Sequence, residues 1–162
     1  MVKAGGYANH VAFIDLTERR VEYDEVCEED ARKYIGGRGL GVKYVYDINP
    51  KADPFSPENP HALMVGPLTG SLVPLSGRLA SVTRSPLTGT ITDSHVGGYV
   101  GAALKWAGFD GIVMTGISDK PVYLLVKDGV VKIEDATSLW GRGTLEVTKL
   151  LKSKYGEEAK VF

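Results

Sequence analysis

Residues 78–98 read RLASVTRSPLTGTITDSHVGG, and the division of this stretch into elements decides the fold. A short apolar strand opens it, Ser85-Pro86-Leu87-Thr88-Gly89 turns the chain, a second strand follows, and His95-Val96-Gly97-Gly98 leads into a helix. Bare backbone delivered to a helix start favours anions, because the first N–H groups of a helix have no intrahelical partner. This stretch is the candidate site.

Upstream of it stands Pro74-Leu75-Ser76-Gly77-Arg78. A glycine before an arginine lets the backbone approach a ligand closely, while the guanidinium reaches a phosphate or a planar heterocycle with forked donors. The plainer reading of Arg78 is a strand end in solvent, or an ion pair with an acid such as Asp93. Downstream, residues 99–108 read YVGAALKWAG and place Val100, Ala103, Leu104 and Ala107 on one helical face. Gly97, Gly98, Gly101 and Ala102 keep the first turns small, which allows close packing or close approach of a ligand. His95 reads either as a metal ligand or as a structural residue, and the lack of a second His, Cys or acid at ligand spacing favours the latter.

Further toward the N-terminus, residues 10–16 and 20–25 form a hairpin around Thr17-Glu18-Arg19, with Val21 and Tyr23 on one face. A helix follows from Glu28, with acids in its first turn and Ala31, Tyr34 and Ile35 spaced three or four apart; Gly36-Gly37 ends it with a left-handed cap. The cluster Gly36-Gly37-Arg38-Gly39-Leu40-Gly41 invites a dinucleotide-binding reading. It fails, because the Rossmann fingerprint needs a preceding strand and a different final spacing. The cluster reads instead as a tight junction to a second helix over residues 40–47, with Val42, Tyr46 and Val45 inward, and Arg38 is free to touch a bound anion. Residues 49–60 carry four prolines and no periodicity, the mark of a surface loop. A short buried strand over residues 62–65 ends in Gly66-Pro67-Leu68-Thr69-Gly70, whose PLTG recurs at Pro86-Leu87-Thr88-Gly89; four residues are too few to establish a duplication.

Beyond the helix at residues 99–108, strands are expected at 110–115, 121–127 and 130–134, the last two joined at Asp128-Gly129. A final amphipathic helix spans residues 144–155, with Leu145, Thr148, Leu151 and Tyr155 inward and Gly156 as its cap. Lys160-Val161-Phe162 resembles the opening of another strand, so the chain is expected to be the front part of a longer protein, with residues 1–162 as one domain.

Composition limits the function. A chain of 162 residues with a formal charge of -1 and a pI near 6.3 carries no electrostatic pull toward nucleic acid. No apolar run reaches the roughly 20 residues of a membrane helix, and the N-terminus lacks the apolar core of a secretory signal, which points to a cytoplasmic location and no membrane partner. The single cysteine, Cys27, cannot build a disulfide, a cysteine-rich zinc site or an iron–sulfur cluster, and its acidic neighbours disfavour a reactive thiolate.

Taken together, Tyr34-Ile-Gly-Gly-Arg-Gly-Leu-Gly41, Asp53-Pro-Phe-Ser-Pro-Glu-Asn59, Gly66-Pro-Leu-Thr-Gly70, Ser76-Gly-Arg78, Ser85-Pro-Leu-Thr-Gly89, Gly97-Gly98 and Leu104-Lys-Trp-Ala-Gly-Phe-Asp110 resemble the N-terminal domain of the aldehyde ferredoxin oxidoreductase family. The resemblance covers almost the whole chain. It implies an α+β fold with two mostly antiparallel sheets and three or four short helices. It also implies the front domain of a tungsten, less often molybdenum, enzyme that interconverts aldehydes and carboxylic acids with ferredoxin or another electron carrier. In that family two pterins hold the metal and a magnesium ion bridges their phosphates. By position, Arg78 would contact a pterin, Val96, Gly97 and Gly98 would line the cofactor, Arg38 would be a further contact, and the main-chain carbonyl of His95 would ligate magnesium.

Better-known members carry asparagine at the position of His95, an exchange that a carbonyl role tolerates and that suits magnesium's preference for oxygen. The resemblance places the iron–sulfur cluster and the acid–base residues in later domains, so this segment is expected to hold no catalytic residue and to be inactive alone. Two alternatives accompany this reading. One is a non-catalytic binding or assembly module, including a homo-oligomer formed through unprotected strand edges. The other is the front domain of a related tungsten enzyme acting on another acid or an aromatic acyl thioester.

Overall fold

In the computed structural model, which describes residues 5–162, eight strands and four helices are assigned. The hairpin β1 (His10–Asp15) and β2 (Arg20–Glu25) leads to helices α1 (Glu28–Tyr34) and α2 (Arg38–Ile48). Strands β3 (His61–Val65), β4 (Leu79–Arg84) and β5 (Ile91–Val96) follow, then α3 (Val100–Trp106) and β6 (Gly111–Thr115). The hairpin β7 (Val122–Lys127) and β8 (Val130–Asp135) precedes α4 (Thr144–Tyr155). Six strands form one sheet in the order β2-β1-β6-β3-β4-β5, and β7-β8 form a second. Every pairing is antiparallel except β1 with β6. The α+β architecture expected from the sequence is the one observed.

Side chains alternate across a strand, so neighbouring apolar residues must find two different cores. Val11, Met64 and Ala80 enter one cluster with Leu40 and Val45 of α2, while their neighbours Ala12, Val65 and Leu79 enter another with Leu104, Phe109 and Val131. The central sheet therefore has α1 and α2 against one face and α3 with the β7-β8 hairpin against the other. That double cover explains why HALMV in β3 reads as a continuous apolar run rather than an alternating one.

Close approach of helix to sheet rests on glycine. A Cβ on Gly41 would stand 2.6 Å from Val82 Cγ2, and one on Gly101 would stand 3.3 Å from the Arg78 backbone. The glycine-rich cluster is thus a packing junction, as its sequence context implies.

Several local expectations are corrected. The left-handed φ at the end of α1 falls on Ile35 (φ 65), one residue before the glycines. Gly36 serves close approach instead, since a Cβ there would stand 2.9 Å from Gly66 Cα, and the Tyr7 hydroxyl donates to the Ile35 carbonyl at 2.7 Å. Tyr46 and Leu145 point outward, at 61% and 80% exposure, as does Ile35. Val45 with Leu40 takes the inward place in α2. No residue of α4 is fully buried, and a 2.6 Å hydrogen bond between the Tyr155 and Tyr123 hydroxyls ties the helix to β7. Residues 160–162 are irregular, not a strand.

Candidate functional site

One end of the six-stranded sheet collects the residues singled out by sequence. Gly37 at the start of α2 donates its N–H to the Val65 carbonyl at the end of β3 (3.0 Å), which starts α2, and with it Arg38, at this end of the sheet. Arg78 immediately precedes β4, and Val96 closes β5 opposite Leu79. The backbone of residues 77 and 98 then nearly touches, since a Cβ on Gly77 would stand 2.8 Å from the Gly98 carbonyl. Gly98 has φ 81, a conformation that side chains other than glycine's rarely adopt. Nothing lies within 4 Å of where a Cβ would sit on Gly97 or Gly98, so both present open backbone.

The direction of the His95 carbonyl follows from the ladder. Ser85 N–H donates to the Thr90 carbonyl at 2.8 Å, and alternate antiparallel pairs face each other while those between face away. Counting along the β4-β5 register makes Leu79↔Val96 a facing pair and Ala80↔His95 an outward one. Strand β5 is the last in its sheet. The carbonyl and N–H of His95 consequently point out of the open edge, beside Gly97 and Gly98.

The side chains divide differently from the sequence reading. Asp93 and His95, two apart on β5, share a face, and His95 Nε2 lies 2.8 Å from Asp93 Oδ2. The acid's other oxygen is 3.7 Å from Arg38 Nη1, so Asp93 pairs with Arg38 rather than Arg78. Arg78 is exposed, and among the described residues no acid pairs with it. The Val96 side chain packs against the cluster containing Leu79 and Leu104, which leaves its backbone alone for any ligand.

Asp93 was legible as a bridging residue from its i, i+2 spacing to His95. Two residues beyond the 78–98 stretch, both in the Leu104–Asp110 motif, support the lip: Trp106 Nε1 donates to the Gly70 carbonyl at 2.9 Å, and Lys105 pairs with the buried Asp110 while donating to the Gly6 carbonyl at 2.9 Å. A separate concavity of about 450 Å³, lined by His10, Tyr23, Trp106 and Phe109, includes neither Arg78 nor His95. Among the described residues no group of three or more His, Cys, Asp or Glu is placed to hold a metal, and Cys27 is exposed.

Residues 11–162 match the family described as aldehyde ferredoxin oxidoreductase, N-terminal domain. The chain belongs to that family. The tungsten-containing aldehyde ferredoxin oxidoreductase of Pyrococcus abyssi is 42% identical over 154 residues, covering 94% of this chain and 25% of the relative. An aliphatic sulfonate oxidoreductase, WOR-like subunit, from Pyrococcus furiosus is 35% identical, covering 95% of this chain and 25% of the relative. Among solved structures, the active site complex BamBC of benzoyl coenzyme A reductase with 1,5-dienoyl-CoA superimposes with a TM-score of 0.89 at 33% identity, over 93% of this chain and 23% of that one. The chain thus spans about a quarter of the length of these relatives. Both curated relatives are oxidoreductases by name, and the substrates in those names differ. No helix among the described residues is long and apolar enough to cross a membrane.

Proposed function

We propose that this chain is the cofactor-binding front domain of a tungsten or molybdenum oxidoreductase that interconverts aldehydes and carboxylic acids, with ferredoxin as electron partner. The observation that carries the reading is the outward carbonyl of His95, beside the open backbone of Gly97 and Gly98 and within the same lip as the exposed Arg78. A hard cation such as magnesium takes oxygen ligands and keeps phosphates in its shell, so a main-chain carbonyl at a sheet edge suits it better than the imidazole. Arg78 offers a planar fork to a pterin or its phosphate. Glycine backbone admits the flat heterocycle closely, with Val96 contributing main chain only.

Arg38 lies 3.7 Å from Asp93, which places its guanidinium at the border of the lip. Bound there, the tungsten pterin supplies the redox chemistry, and this domain binds and orients it. No side chain here is assigned to the reaction itself; the iron–sulfur cluster and the acid–base groups are assigned to further polypeptide.

Arg78→Ala in the complete gene product is expected to lower tungsten and pterin content, read by elemental analysis and pterin fluorescence; unchanged contents contradict the assignment. Residues 1–162 alone are expected to give no aldehyde-dependent dye reduction. The similarity to the sulfonate oxidoreductase subunit and to the benzoyl coenzyme A reductase complex favours one second reading, a related tungsten enzyme acting on another acid or an aromatic acyl thioester. Substrate screening of the loaded enzyme separates the two.

A further inference from the structure

We infer that Asp93 is the positioning residue of the lip and sets its charge, so that the lip takes phosphoryl groups together with a divalent cation in preference to the bare anion. The inference rests on the reading of residues 78–98 as a cofactor site and goes beyond it by naming the group that orients and tunes that site.

Strand β5 is the last in its sheet and its pairs alternate, so Asp93 opposite Val82 and His95 opposite Ala80 both turn their N–H and C=O groups out of the open edge. The ladder to β4 therefore bonds to neither residue's main chain. Their side chains are tied instead. His95 Nε2 lies 2.8 Å from Asp93 Oδ2, and Arg38 Nη1, arriving with α2, lies 3.7 Å from Asp93 Oδ1. One carboxylate thus joins the strand edge to the start of a helix. Its side chain is 25% exposed, against 65% for Arg38 and 37% for His95, so the acid is the most shielded of the three. Aspartate is depleted in strands, and this one is held by two partners that both belong to the lip.

The charge of the lip follows from the same contacts. Arg38 and Arg78 bring two guanidinium groups, and Asp93 offsets one of them, while among the described residues no acid pairs with Arg78. Charges near a protein surface act on one another over several ångströms. A bare polyphosphate meets the repulsion of the Asp93 carboxylate. A magnesium ion brings two positive charges with the phosphoryl oxygens, is attracted by that carboxylate, and finds an oxygen ligand in the outward His95 carbonyl.

The complete gene product, prepared free of metal and pterin, is titrated calorimetrically at low ionic strength, where screening is least. The probes are inorganic pyrophosphate alone and its magnesium complex. The unaltered protein is expected to bind the magnesium complex about tenfold or more tightly than pyrophosphate alone. Asp93→Asn is expected to reduce that ratio by about threefold or more, chiefly by strengthening the bare anion, whereas Asp93→Glu, which keeps the charge, is expected to preserve it. Arg38→Gln leaves the Asp93 charge without its offset and is expected to raise the ratio, and it carries the test should Asp93→Asn fail to fold. Variants that shift both forms equally, as a purely structural role would, overturn the inference. An unaltered protein that binds neither form, or both alike, overturns it too. The tungsten content of Arg78→Ala tests the underlying reading separately. A fall in tungsten with an unmoved pyrophosphate ratio defeats this inference alone, and unchanged tungsten with the expected ratios defeats the pterin reading alone.

Discussion

The indole N–H of Trp106 donates to the Gly70 carbonyl at 2.9 Å, and a Cβ on Gly70 would stand 3.0 Å from the same nitrogen. Through this contact the last turn of α3 fixes the loop that ends at Arg78. Gly70 has φ 80, so Gly70→Ala forces alanine into the left-handed region and costs about 1–2 kcal/mol. Trp106→Phe removes one hydrogen bond at about 0.5–1.5 kcal/mol. Because the residues touch, the double variant is expected to cost less than the two single changes together, measured by urea unfolding. Strict additivity would contradict the coupling.

Asp110 is 1% exposed and takes the Lys105 ammonium on one oxygen and the Asn9 N–H on the other, the latter at 2.6 Å. Removing one partner of a buried pair leaves the other charge uncompensated. Asp110→Ala is expected to lower stability by about 3–5 kcal/mol, seen as an earlier midpoint in chemical denaturation. A loss under roughly 1 kcal/mol would show that Lys105 finds water or another acceptor.

Gly41→Ala sets two effects against each other. Alanine gains up to about 1 kcal/mol of helix propensity, but its Cβ would lie 2.6 Å from Val82 Cγ2. Overpacking of a dense core costs about 1–3 kcal/mol, so net destabilisation is expected. Val82→Ala in the same chain should recover part of it, and calorimetry of the unaltered protein, the two single variants and the double variant measures the recovery.

Burial lowers the pKa of His61 below its ordinary 6.5, and its Nε2 lies 2.7 Å from Ser81 Oγ. The folded state thus favours the neutral ring, and the unfolded state binds the proton more readily. This contribution to stability is fully present above the unfolded value. It is lost as pH falls through that value toward the folded one. His61→Gln is expected to flatten the decline in stability between about pH 7 and pH 5, relative to the unaltered protein. Parallel profiles for the two proteins would refute the assignment.

Much of the architecture was legible because its signals are local. The span of α4, the β1-β2 hairpin and the Asp128-Gly129 turn follow from periodicity and turn chemistry, and the turn shows positive φ at both residues, 50 and 76. The outward direction of the His95 carbonyl was not legible, since it needs the observed β4-β5 ladder and the place of β5 at the sheet edge. Facing directions were less legible: Val42 packs against the core as expected, but Tyr46 and Leu145 fit an apolar stripe and yet point outward, because α2 fills its inner face with Leu40, Gly41 and Val45 and α4 buries no residue fully. Of the two plain readings of Arg78, the strand end in solvent is the one observed; the pair with Asp93 is made by Arg38 from α2, and nothing local fixes where a helix lies over a sheet. Strand order was illegible for the same reason, since β6 inserts between β1 and β3.

That insertion governs the order in which the protein takes shape. Strand β1 has β2 on one side, but its other edge waits for β6, which begins at Gly111. A two-stranded hairpin is marginal in water by itself. During synthesis at about 5–20 residues per second, β1 and β2 leave the ribosome well before the strand that anchors them. Closing so long a loop before any contact rewards it makes folding slow. The parallel β1-β6 seam cannot close until β6 has been made, and until then that edge of β1 is open to chaperones and to mispairing.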